Sequence, residues 1–325
     1  MFSRFYTVAL NTLIETVRQP IYGALLLATA LLLILNVSLA AFTLEDDDKL
    51  LWDLGLSTLL LSGLFLSAFS ASGALSKEIE NKTVLTVVSK PVSRPLFVFG
   101  KLAGLVAALC LAFYLSFLVF ALTVRHGVLE NTSDPWDAPV LVLGIGSVLA
   151  SLLTAGFCNY FYGWDFPTAS LAILTPALTM ATVLVAMFDK HWEPIPWGSQ
   201  FVGGQIVLAC YLVLLMVLMT AAVALAASTR LGQLATLVIC TSFLGAGIVS
   251  DYAFGQREAT SWVAAVAYRA VPNMGLFWVI DGLHAGTEET LVPLSYAGYA
   301  TAYAVLWIAA ILGIATAAFQ TREVG

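Results

Sequence analysis

The chain has 325 residues, of which 60% are hydrophobic and 10% are charged. Soluble domains contain about 25% charged residues, so this composition excludes a water-soluble globular protein and predicts a chain that uses the bilayer as its solvent. The formal net charge of −6 argues against a nucleic-acid partner.

The first eighteen residues precede every long apolar run and predict an amphipathic helix. Its apolar side chains share one helical face: Tyr6, Leu10, Leu13, Ile14 and Val17. Arg4, Asn11, Glu15 and Arg18 lie elsewhere on the helix. We expect residues 1–20 to form an interfacial helix along the cytoplasmic membrane surface, turning into the first span at Pro20.

Eight apolar runs are long enough to cross a bilayer, since a spanning helix needs about 20 mostly apolar residues. They are Ile21–Phe42, Leu54–Leu75, Leu102–Val124, Val140–Phe161, Thr168–Phe188, Gly203–Ala227, Leu234–Ser250 and Gly298–Phe319. None alternates as barrel strands do. The fold class is therefore an all-α polytopic membrane protein, and we expect residues 1–325 to form a single transmembrane domain.

Three small residues recur every fourth position in the second run, at Gly63, Ser67 and Ala71. This spacing lets helix backbones approach closely in lipid. It predicts a packing face, either within this chain or at the seam of a homodimer or heterodimer.

The segment Ser76–Lys101 joins the second and third runs and holds five of the fourteen Lys and Arg residues. A short basic segment between two spans belongs on the cytoplasmic side by the positive-inside rule. There it can contact a soluble partner or anionic headgroups.

Loop charges predict the orientation of the whole bundle. With the N-terminus inside, nine basic residues are cytoplasmic: Arg4, Arg18, Lys77, Lys82, Lys90, Arg94, Lys101, Arg230 and Arg322. The other five are external: Lys49, Arg125, Lys190, Arg257 and Arg269. We therefore expect both termini in the cytoplasm and the protein in the cytoplasmic (inner) membrane. Residues 251–297 are then extracytoplasmic, and their apolar stretches Ser261–Val271 and Gly275–Ile280 predict short interfacial helices.

The sequence contains no nucleotide-binding phosphate loop and no catalytic motif, and no ionisable residue lies near the middle of a predicted span. Ion-coupled transporters need such residues within the membrane, although sodium held by backbone carbonyls in broken helices stays open. Four cysteines lie isolated in apolar runs, without metal-type spacing. We expect no cofactor, metal or catalytic residue, and an energy source on another chain.

Several short motifs resemble the permease subunits of type-2 ABC transporters. The first group is Glu78-Ile-Glu80-Asn-Lys-Thr83, then Pro91-Val92-Ser93-Arg94 and Gly100-Lys101 before the third run. The second group is Ser228-Thr-Arg230, Val271-Pro272-Asn273, and Phe319 ahead of Arg322-Glu323. The chain departs from the family pattern in having Lys82 where glycine is common, and eight spans where six are typical. The pair Val140–Phe161 and Thr168–Phe188 is the candidate insertion.

The resemblance implies a cytoplasmic coupling helix, Glu78–Ser89, seated on a separate ABC ATPase subunit. It implies an exporter built with a second permease copy or homologue. The residues assigned to coupling are Glu78, Glu80, Thr83, Val84, Leu85, Val87, Val88, Lys90, Pro91, Ser93 and Arg94. The valines and leucine of this set would offer an apolar face to the ATPase subunit. Lys90 and Arg94 would offer positive charge to an acidic rim on that subunit.

Two other functions remain open from the residues alone. An ATP-independent membrane scaffold or assembly factor would recruit partners through the same basic segment. A polytopic membrane enzyme acting on lipids would use Asp189, His191 and Glu193, which a short hydrated turn also explains.

Cysteine labelling tests the predicted orientation. In a cysteine-free background, Thr86→Cys should react with a membrane-impermeant maleimide only after the membrane is permeabilised, because the reagent can then reach the cytoplasm. Thr132→Cys, in a predicted external loop, is the matched control and should react in intact cells. Labelling of Thr86→Cys in intact cells would contradict the cytoplasmic assignment and every role that depends on it.

Overall fold

The computed structural model describes residues 2–42, 47–80, 94–129, 135–255, 261–280 and 291–320. Side chains are described there except at 2, 75–80, 94, 263 and 319–320. Ten α-helices, and no strands, are found in these ranges. They are α1 Phe2–Val17, α2 Pro20–Ala40, α3 Asp47–Glu80, α4 Arg94–His126, α5 Gly146–Tyr162, α6 Phe166–Val185, α7 Gly204–Ser228, α8 Gln233–Ala253, α9 Trp262–Ala270 and α10 Leu294–Gln320.

The eight predicted spans are confirmed as helices long and apolar enough to cross a membrane, namely α2 to α8 and α10, with α5 extended at its start by a π-helix, Val140–Ile145. The chain is a multi-pass membrane protein of the all-α class. The N-terminal amphipathic segment is α1, and Pro20 at the first position of α2 separates the two helices.

The helices α3 and α4 exceed what a bilayer requires. They have 34 and 33 residues, which is about 50 Å each at 1.5 Å per residue. The hydrocarbon core is about 30 Å thick. Both helices therefore continue beyond the lipid, and they run up to the two ends of residues 81–93.

The residues divide into two compact units. One contains Met1–Thr16, Leu60–Cys110 and Leu208–Gly325, and the other contains Val17–Leu59 and Leu111–Val207. The predicted extra pair of spans, α5 and α6, belongs entirely to the second unit.

In the first unit, the segment after α8 folds back onto α8 and α10. The short helix α9 lies where a short interfacial helix was expected, and a 3₁₀ turn, Met274–Phe277, follows it. Met274 is fully buried against Gly247, which has no side chain to obstruct the approach. The hydroxyl of Tyr303 accepts a hydrogen bond from the backbone N–H of Asn273 at 3.0 Å.

In the second unit, local turn chemistry makes α5 and α6 a hairpin. Gly163 adopts a left-handed conformation with φ of 68° and ends α5, since glycine takes this conformation without strain. Asp165 then caps α6 by accepting from the N–H of Thr168 at 3.2 Å. The hairpin packs on α4 through a buried cluster of Leu115, Leu118, Leu122, Val140, Leu178 and Val185.

A buried ion pair lies at the far end of α4. Nη1 of Arg125 is 2.9 Å from Oδ2 of Asp137, and the two side chains are 4% and 0% exposed. Nη2 of Arg125 also donates to the carbonyl of Phe188, and Oδ1 of Asp137 accepts from the N–H of Val140. The pair therefore ties together the end of α4, the start of the π-helix and the segment after α6.

Breaking this pair should destabilise the protein strongly. Arg125→Met leaves Asp137 buried without its cation, which typically costs about 3–5 kcal/mol. Thermal unfolding in detergent micelles should show a large loss for Arg125→Met, and a smaller loss for the double variant Arg125→Met with Asp137→Leu. Lys190→Met, at a partly exposed loop cation, is the control. Equal stability of Arg125→Met and this control would contradict the role of the pair.

Candidate functional site

The candidate site is the junction between α1 and the first turns of α4, which contain the last residues of the predicted coupling segment 76–101. Both elements belong to the first unit. Two glycines four residues apart, Gly100 and Gly104, let α1 approach closely. An added Cβ at Gly100 would lie 2.8 Å from Cγ1 of Val8, and one at Gly104 would overlap the carbonyl oxygen of Ala9. We call this contact the α1–α4 junction.

An ion pair reinforces the junction. Nζ of Lys101 donates to Oε2 of Glu15 at 3.4 Å. The lysine side chain is 3% exposed, whereas Glu15 is 54% exposed. Phe97, one turn earlier on α4, has its ring 5.7 Å from the same ammonium. Because a buried cation needs compensating groups, Glu15 and Phe97 help to hold Lys101 in place.

The helix α1 divides its surface into three sectors. Arg4, Asn11 and Glu15 form an exposed polar sector. Val8 and Thr12 lie on a second sector, against α4. The apolar face predicted from sequence forms the third sector, and its members Tyr6 and Leu10 remain 66% and 38% exposed. Val17, at the end of the same face, is buried. The apolar face is therefore open to lipid near Tyr6 and Leu10, while a different face holds the first part of the helix to α4.

Most of the predicted coupling residues lie outside the described residues: Thr83, Val84, Leu85, Val87, Val88, Lys90, Pro91 and Ser93. The predicted coupling helix Glu78–Ser89 is described only to Glu80, where its backbone continues α3 as helix. Arg94 begins α4. The side chains of Glu78, Glu80 and Arg94 are also outside the described set.

Two of the three predicted packing residues of α3, Gly63 and Ser67, lie against α7 of the same chain. An added Cβ at Gly63 would overlap Val217, and the hydroxyl of Ser67 donates to the carbonyl of Val217 at 3.4 Å. Ala71 is fully buried. The structure thus brings this face together with α7 in the first unit.

Sequence reasoning missed the α1–α4 junction, although a signal for part of it is present. Gly100 and Gly104 form a G-x-x-x-G pattern, the same small-residue signal that singled out Gly63, Ser67 and Ala71. The burial of Lys101 carries no such signal, because a lysine at the start of an apolar run usually faces water or headgroups.

The residues Asp189, His191 and Glu193 form a turn. Oδ1 of Asp189 accepts from the N–H groups of His191 and Glu193, both at 2.8 Å. The hydrogen bond from Glu193 N–H is the main cause that holds the pKa of Asp189 below its usual value. Trp192 between them has a positive φ of 66°. The carboxylate of Asp189 thus stabilises the backbone of the turn. Among the described residues, no three His, Cys, Asp or Glu side chains cluster closely enough to hold a metal.

Comparison with known proteins adds no family assignment. No protein-family model matches the chain, and no curated protein matches it.

Substitution of Gly104 tests the junction. Gly104→Ala should lower the thermal stability of the protein in micelles, because the new methyl group meets backbone at Ala9 and lies 2.6 Å from Cβ of Thr12. Overpacking of this kind costs about 1–3 kcal/mol. Proteolysis within residues 1–20 should also accelerate, since α1 is displaced.

The matched control is Gly245→Ala in α8, where an added Cβ meets nothing within 4 Å. Its stability should stay equal or rise, because alanine favours helix over glycine by about 1 kcal/mol. Identical behaviour of the two variants would show that α1 does not depend on close contact at Gly104.

Proposed function

We propose that this chain is the transmembrane permease subunit of an ABC transporter, driven through the segment 76–101 by a separate ATPase. The observation that carries the proposal is the α1–α4 junction. It anchors the first turns of α4, where that segment ends, by close glycine contacts and by a buried lysine. A segment that receives force must end on an anchored element if the force is to reach the spans.

The lengths of α3 and α4 support the same proposal. Their helical backbones continue to Glu80 and from Arg94, so the segment between them is only 81–93. A continuous helix moves as one element because its backbone hydrogen bonds link every turn to the next. A displacement at Arg94 is therefore carried along α4 toward the membrane interior.

The distribution of charge supports an external energy source. The buried side chains of Lys, Arg, His, Asp and Glu among the described residues are those of Lys101, Arg125, His126 and Asp137. Lys101 lies in the first turns of α4, and the other three lie at its last turn or beyond. Ion-coupled transporters place such groups at the substrate site within the membrane. This pattern fits a permease whose conformational cycle is driven from the cytoplasm.

Sequence motifs give further support to the proposal. The pattern Glu78-Ile-Glu80-Asn-Lys-Thr83 with Pro91-Val92-Ser93-Arg94 resembles the coupling region of type-2 ABC permeases. In the proposed complex, two permease subunits and two ATPase subunits alternate between inward-open and outward-open states. Export is the direction that the resemblance implies.

Association with an ATPase subunit tests this proposal. The chain would be co-expressed with candidate ABC ATPase subunits and purified through a tag on the permease. Arg94→Glu combined with Leu85→Asp should abolish co-purification and ATP-dependent transport, because it reverses a charge and places a carboxylate on the apolar face of the segment. The amount of permease in the membrane should not change.

Lys190→Glu, on the predicted external side, is the matched charge-reversal control and should retain the complex. Retention of both complex and transport by the double variant would refute the coupling role of the segment. Normal function of the protein without any ATPase partner would instead favour a membrane scaffold.

A further inference from the structure

An apolar groove of about 400 Å³ lies within the second unit, among α2, α4, α5 and α6. Its volume falls in the range of small-molecule pockets, about 300–1,000 Å³. The walls are almost entirely aliphatic, and include Leu27, Leu152 and Leu174. Leu27 and Leu152 are 62% and 43% exposed, so the groove is open along one side.

The groove extends over the depth of one leaflet. Along α2 it runs from Pro20 to Ala30, which is about 15 Å at 1.5 Å per residue. Along α6 it runs from Phe166 to Leu178, or about 18 Å. Half of a hydrocarbon core of about 30 Å is about 15 Å. An extended acyl chain of one leaflet therefore matches the groove in length as well as in polarity.

Three residues of the wall have polar side chains, Gln19, Ser116 and Ser170. The hydroxyl of Ser170 donates to the carbonyl of Pro167 at 2.9 Å, within the first turn of α6. Its donor is thus already used, and the surface that faces the groove beside it is aliphatic. Gln19 is next to Arg18 in the sequence, and Ser116 is 5% exposed. The other wall residues are apolar, so a polar ligand along most of the groove would lose its hydration without gaining partners.

An ion pair marks one end of the groove. Arg18 lies in sequence between the wall residues Val17 and Gln19, and Asp165 precedes the wall residue Phe166. Nε of Arg18 is 3.4 Å from Oδ2 of Asp165, and the side chains remain 55% and 39% exposed. The hydrogen bonds from Thr168, followed by the charge of Arg18, hold the pKa of Asp165 below its usual value.

We propose that this groove binds one acyl chain of a glycerophospholipid whose phosphate lies at Arg18. A guanidinium offers a planar set of donors that suits a phosphodiester, and the long contact to Asp165 leaves the group accessible. The lipid comes from the leaflet on the side of Arg18, which the charge distribution predicts to be cytoplasmic. The site needs only the bilayer, so its test is independent of ATPase coupling.

Photocrosslinking tests the site on the full chain. The protein would be reconstituted in phosphatidylcholine vesicles with a trace of phosphatidylglycerol that carries a diazirine on one acyl chain, and adducts would be mapped by peptide mass spectrometry. Adducts should concentrate on the groove walls of α2 and α6. Gly23→Phe should lower their yield several-fold, because Gly23 lines the groove and an added Cβ meets nothing within 4 Å.

The matched control is Gly245→Phe, at another exposed helical glycine with open space around it, and it should leave the yield unchanged. Headgroup recognition has its own pair of variants. Arg18→Gln should lower the yield from the phosphatidylglycerol probe but not from a diacylglycerol probe with the same chain. Asp165→Asn keeps the cation and should not lower either yield.

Three results would overturn the proposal. One is an even spread of adducts over exposed apolar residues such as Leu234 and Leu294. Another is an equal yield of adducts from the phosphatidylglycerol and diacylglycerol probes in the protein that retains Arg18. The third is efficient disulfide formation between two copies of a Leu27→Cys variant in the same vesicles, which would make the groove a dimer contact.

Discussion

Close contact at glycine positions is the interaction on which this structure depends. Lipid offers no hydrophobic force to drive helices together, so association relies on backbones that approach closely. Gly63 admits Val217, and Gly104 admits the backbone of α1. Gly247 similarly admits Met274, which seats the segment between α8 and α10. Each contact removes one side chain where two elements meet, and each would be lost to a single added methyl group.

Buried charged side chains are few among the described residues, and they lie near the two ends of α4. Lys101 pairs with Glu15 near one end, and Arg125 pairs with Asp137 at the other. A charge in the hydrocarbon is costly, so pairing near the ends of a span limits the penalty. The two pairs join α4 to different partners, the first to α1 and the second to the chain before the π-helix. A long helix is thereby fixed at two points while its middle stays apolar.

The two proposals assign different work to different parts of the chain. Force from an ATPase would enter through the segment that ends at the α1–α4 junction, in the first unit. A phospholipid would occupy the groove of the second unit, which includes the α5–α6 hairpin. If the proposed permease assignment holds, that hairpin is the pair of spans beyond the six that the resemblance implies. The pair would then supply two walls of the proposed phospholipid groove.

Local properties of the sequence determined the eight spans and the N-terminal helix. Apolar length and helical periodicity are properties of contiguous residues, so they can be read directly from the sequence. The ends of helices were harder to predict from the sequence, since α3 begins at Asp47 although its apolar run begins at Leu54. Hydropathy reports the part of a helix in lipid and misses polar turns outside it.

Only the tertiary structure decided which face of α1 packs against protein and which basic residues are buried. Lys101 and Glu15 are 86 residues apart in the chain, and neither differs in sequence context from a cation or an acid that faces water. Their pairing depends on the glycine contacts that bring α1 onto α4. Distances of that kind are set by packing of whole helices, which no local pattern encodes.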